Sequence, residues 1–98
     1  MSVQLENCLN NEYLKKIEAL AALSLYGQNV KIAIHHIVKD ACSFAANQAG
    51  DPTMHLLAFK GRLTELAKRT HPSMPGYIKT LEYAASLVVV QQARSLRT

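Results

Sequence analysis

The chain has 98 residues, 49% of them apolar and 18% charged, with a formal net charge of +4. That length supports one hydrophobic core but not two, and that apolar content excludes an intrinsically disordered chain, because enough apolar area is present to offset chain entropy. No run approaches the roughly 18 to 20 apolar residues that span a bilayer, and the polar start from Met1 to Lys16 reads neither as a signal peptide nor as an anchor.

The expectation is one helical domain over 1–98, with residues 1–9 forming a flexible or helical N-terminal arm. The first helix is predicted from Asn10 or Asn11 to Tyr26, where Tyr13, Ile17, Leu20 and Ser24 share one face and Leu14, Ala21 and Leu25 lie beside them. Gly27 and Asn29 close it and open the next. The second runs from about Val30 to Ala49: Val30, Ile34, Ile37, Ala41, Phe44 and Gln48 alternate at spacings of four and three, and Ala33, Val38 and Ala45 widen the stripe.

Gly50-Asp51-Pro52 is the clearest boundary. Glycine can take the left-handed conformation that ends a helix, aspartate can cap the next one, and proline fits its first turn, where a missing N–H costs nothing. The third helix then spans about Pro52 to Arg69, with Leu56, Phe59, Leu63 and Leu66 flanked by Ala67. After His71-Pro72-Ser73-Met74-Pro75-Gly76, the fourth spans about Pro75 to Leu96, with Ile78, Leu81, Ala85, Val88, Gln92 and Leu96 on its core face. Val88-Val89-Val90 is β-branched, but it lies inside this helical stripe and periodicity outweighs propensity. Four stripes joined by short connections predict an all-α protein, a compact four-helix bundle with largely antiparallel neighbours.

Chemistry-bearing residues are scattered. His35 and His36 are adjacent and so point about 100° apart on a helix, whereas paired helical metal ligands sit one turn apart. Nucleophile elbows, phosphate loops and zinc-binding helices are absent as patterns. The reading is a protein without enzymatic activity, cofactor or metal. Cys8 and Cys42 lie outside any C-x-x-C pattern and are expected to be reduced thiols, which fits a cytoplasmic location.

Charge is uneven. Residues 1–27 hold Lys15 and Lys16 against Glu6, Glu12 and Glu18, which leaves nine of the eleven bases and four of the seven acids in residues 28–98. The stretch Leu63-Thr-Glu-Leu-Ala-Lys-Arg-Thr-His-Pro-Ser73, continued by Tyr77-Ile-Lys-Thr-Leu-Glu82, resembles the helix-turn-helix of small bacterial repressors. The resemblance implies a small nucleic-acid-binding or transcription-regulatory protein, and a wider basic surface of Lys31, Lys39, Lys60, Lys68, Arg69 and Lys79 would supply the contacts to the nucleic acid. His71-Pro72 stands where that motif has its glycine turn, and Pro75-Gly76 where its second helix begins, so this reading ranks second.

The leading reading comes from apolar area left after the core stripes are assigned. Tyr83, Leu87 and Val90 follow i, i+4, i+7 on the far side of the fourth helix, with Arg94 continuing the row, and Met54, Leu57, Ala58 and Gly61 form a smaller second patch on the third, where alanine and glycine permit close helix approach. Tyr83, Leu87, Val90, Arg94, Met54 and Leu57 are the expected protein interface. The protein is accordingly read as a basic, noncatalytic interaction module, an adaptor, chaperone-like or inhibitor protein. Its partner is another protein or a second copy in a homodimer, and no membrane is involved.

Overall fold

Local chemistry sets each helix boundary in the computed structural model, which describes residues 8–49 and 52–97. A π-helical turn, Leu9–Tyr13, leads directly into α1, Leu14–Ser24. The N–H groups of Leu25, Tyr26 and Gly27 donate to the carbonyls of Ala22, Leu23 and Ser24 at 3.0–3.1 Å, and Gly27 ends the turn at φ +82°, a conformation that favours glycine. Asn29 Oδ1 then accepts the N–H of Lys31 at 3.1 Å and starts α2, Lys31–Ala49.

The expected roles of Gly50 and Asp51 fall outside the described residues. Pro52 supplies the first carbonyl of α3, Thr53–Arg69, accepting from Leu56 N–H at 2.9 Å. At the other end of α3, Thr70 Oγ1 donates back to Leu66 O at 2.7 Å. His71 shapes the turn that follows: its Nδ1 accepts the N–H of Ser73 at 3.1 Å, and its carbonyl accepts that of Met74 at 3.0 Å. Pro75 opens α4, Pro75–Arg97, which carries Val88-Val89-Val90 as regular helix. No strand occurs among the described residues, and none of their helices is long and apolar enough to cross a membrane.

The four helices form an all-α bundle around one continuous core. It is not a ring of equivalent neighbours. The central element is α4, which packs against α1, α2 and α3 and most extensively against α3, while α2 and α3 barely meet. Three partners require a wide buried arc, and on α4 that arc includes Thr80, Leu81, Ala84, Ala85, Leu87 and Val88. Thr80 is tolerated there because its Oγ1 donates to Gly76 O at 2.8 Å. The Cα radius of gyration is 13.0 Å, close to that of a compactly folded chain of this length.

The buried face of α2 lies about 60° from the expected stripe. Val30, Ile34, Val38, Ala41, Cys42 and Ala45 are buried, whereas Ile37 and Phe44 are half-buried and Gln48 is exposed. Small residues on the Ala41–Ala45 side let a neighbouring helix approach, so bulkier Phe44 packs at the margin, its ring centroid 5.9 Å from that of Tyr13. Burial also pushes the Tyr13 phenol above its ordinary pKa, helped by the nearby Asp40 and Glu12 carboxylates.

Cys8 is half-buried, Cys42 is buried, and neither is in a disulfide. Burial raises the Cys42 thiol to about 11, so almost none of it is thiolate at neutral pH. Titration with a thiol reagent is expected to modify Cys8 alone in the native protein and both cysteines after unfolding. Rapid native modification of Cys42 would contradict its placement.

Candidate interaction surface

The structure divides the row Tyr83-Leu87-Val90. Tyr83 is half-buried, with Lys31 Nζ 6.0 Å from its ring centroid, and Gln91, two turns further along, lies 3.4 Å from Nε2 of His35. Lys31 and His35 both belong to α2, so the row 83, 87, 91 runs along that helix, and Leu87 in its middle is only 9% exposed. Its assignment to an interface is corrected: Leu87 is core, because central α4 must also bury the side that meets α2. Val90 faces away and is 43% exposed. The Arg94 side chain lies outside the described residues.

Met54 and Leu57 on α3 remain open, at 75% and 48% exposure, and Val89 beside Val90 was missed by the sequence reading although it is as open as its neighbour. Because α3 and α4 diverge from one short turn and pack along each other, Leu57 and Val89 both lie about 18–21 Å from it at 1.5 Å per residue. Met54, Leu57, Val89 and Val90 therefore all lie toward the open end of this helical hairpin.

A second apolar group, also missed, surrounds the α1–α2 turn: Leu23, Leu25, Tyr26 and Ile32 are all exposed. It lies at the opposite end of the hairpin, since a Cβ on Gly76, at the start of α4, would lie 3.6 Å from Ser24 Oγ and 3.7 Å from Leu25 Cδ2. The signal available in sequence was an apolar cluster at a predicted helix break, where core packing cannot use every side chain.

The basic candidates are spread over three helices. Lys31 lies over Tyr83, while Lys39 on α2 and Lys79 on α4 are exposed. Lys60, Lys68 and Arg69 share α3, where Arg69 Nη2 is paired with Glu65 Oε1 at 2.9 Å. The helices of the helix-turn-helix look-alike are the ends of a long α3–α4 pair sharing the largest helix contact in the molecule, as in an αα-hairpin.

Two grooves flank α3. One, of about 380 Å³, separates it from α1 and mixes Leu14 and Leu66 with Glu18, Arg62, Glu65 and Arg69. The other, shallow and about 580 Å³, follows its outer face along Leu57, Lys60, Gly61, Thr64 and Lys68 and includes the Glu65–Arg69 pair. Among the described residues no three His, Cys, Asp or Glu side chains gather as a metal site would require.

Gly61 stands out in the second groove. It sits mid-helix at an ordinary φ, and a Cβ built there meets nothing within 4 Å, so neither backbone conformation nor internal packing calls for glycine. Gly61→Ala is expected to stabilise the fold by about 0.5–1 kcal/mol, the usual cost of glycine inside a helix. Thermal melts followed by circular dichroism test this, and a lower melting temperature would show that the site is crowded.

No protein-family model matches the chain, and neither a curated protein nor a solved structure matches it with significance.

Proposed function

We propose that the chain is a noncatalytic protein–protein interaction module, an adaptor, chaperone-like or inhibitor protein, acting through the apolar open end of the α3–α4 hairpin. The observation that carries this reading is that the core closes while Met54, Leu57, Val89 and Val90, all toward that end, stay exposed. Covering a side chain of this size contributes ~1.5 to 3 kcal/mol of gross transfer energy, so two or three such anchors offset the entropy of association with a rigid partner. The partner is another protein or a second copy, and two free thiols favour the cytoplasm as its location.

The test is site-specific photo-crosslinking in the cell that makes the protein. A benzophenone amino acid at Met54 or Val90 is expected to yield a discrete heavier adduct, whereas the same group at exposed Lys15 on α1 yields none. An adduct of twice the chain mass identifies a second copy, and any other mass identifies a different protein. If positions 54, 57, 89 and 90 all return only the unmodified chain, the proposal fails.

A further inference from the structure

We infer that the outer groove of α3 takes an acidic amphipathic helix from a different protein, seated lengthwise with Gly61 at the point of closest approach. This rests on the interaction-module reading and adds the partner's chemistry. The groove is graded along its length: Leu57 makes its first part apolar, with exposed Met54 three residues before it on α3, Gly61 leaves its centre open to solvent, and Lys60 and Lys68 bring positive charge to its sides and far end beside the Glu65–Arg69 pair. From Met54 to Lys68 this side of α3 measures about 21 Å, or four helical turns.

Charge selects the occupant. Glu65 is already engaged by Arg69, and neither Lys60 nor Lys68 has an acidic partner among the described residues, so the groove presents two uncompensated positive charges. A second copy laid face to face would oppose four like charges. A nucleic acid would suit the lysines but leave Met54 and Leu57 uncovered, because a phosphate backbone offers no apolar ridge to them. A helix with an apolar stripe and flanking carboxylates satisfies both halves. It also gives Gly61 a purpose: with no side chain in the way, the two helix axes approach closely, which the monomer itself does not need.

The experiment is a selection from a displayed library of amphipathic helices, each about four turns long, with every flanking position split between Glu and Lys. Glu-rich members are expected to enrich on the folded protein. Their affinity should fall at least about tenfold with Gly61→Gln, a helix-compatible change that fills the groove, and should weaken with rising salt. The double variant Lys60→Glu with Lys68→Glu, its folding checked by circular dichroism, is expected to invert the preference to Lys-rich helices.

Enrichment of neutral or Lys-rich helices on the wild type overturns the inference, as does a preference unmoved by charge reversal or binding indifferent to Gly61→Gln. Displacement of the selected peptide by a DNA duplex at moderate salt would assign the groove to nucleic acid instead. Crosslinks from Met54 or Val90 in the cell, combined with any of these failures, would leave the interaction-module reading standing and remove only the acidic helix.

Discussion

Leu87→Asp is expected to unfold the bundle, whereas the same replacement at Val90, one turn along α4, leaves it folded. Leu87 is 9% exposed and sits between Tyr83 and Gln91 on the row that meets Lys31 and His35 of α2. Removing a buried leucine costs about 2–5 kcal/mol, and placing a carboxylate there adds several more, against a total stability of about 5–15 kcal/mol for a domain. Val90 loses little by the change because water already reaches it. Burial would raise the new carboxyl's pKa in the folded state above its unfolded value of about 3.9, so the added cost is small below that value, where both states are largely protonated, grows as pH rises from the unfolded toward the folded value, and levels off above it. Thermal melts at pH 3.5 and pH 7 measure both effects. A Leu87→Asp protein that melts within a few degrees of wild type at pH 7 would return this side of α4 to the interface.

The contrast between those two residues marks where sequence reading stops. Spacing alone found the seams of α3, where Leu56, Phe59, Leu63 and Ala67 are buried as expected, and it placed the breaks at Gly27 and Pro75 close to where the helices end and begin. Those features depend on local chemistry and on a single neighbour. The width of a buried arc depends on how many neighbours a helix has, which is a tertiary property. On α4 the sequence showed two stripes, and only its central position among three helices turns Leu87, Ala84 and Thr80 inward. The same cause explains α2, whose buried face shifts toward Val38 and Ala45 because small residues there admit a neighbour.

The interface candidates were legible to a similar extent. Met54, Leu57 and Val90 were recoverable as apolar positions off the core stripe, and they are exposed. Val89 was hidden because it follows Val88 in a β-branched run whose first member is core. Gly61 was visible as a small residue beside Leu57, but its meaning required coordinates: the same glycine would be structural if a neighbouring helix crossed it, and here nothing does.

The second large effect is expected from Phe59→Ala, the most drastic cavity that one substitution can open in this core. Phe59 is 1% exposed and the largest fully buried side chain. With Leu9, Asn10, His55, Ala58 and Arg62 it lines a small cleft of about 100 Å³, at the place where α3 holds the π-helical entry to α1. Truncation removes the ring and enlarges a void that side chains from a short π-helical turn are poorly placed to fill. Such changes cost about 3–5 kcal/mol, and at about 4–8 °C per kcal/mol for a domain of this size the melting temperature should fall by about 12–40 °C. Phe59→Leu keeps most of the volume and should lose far less. Amide hydrogen exchange adds a local readout: in Phe59→Ala the amides of Leu9–Tyr13 should exchange faster than those of α4, because Leu9 of this single turn lines the same cleft as Phe59 whereas α4 retains its contacts with α1 and α2. Uniform acceleration across all helices would mean instead that the entry turn and the bundle open as one unit, and that Leu9 is held by the core as a whole rather than by this ring.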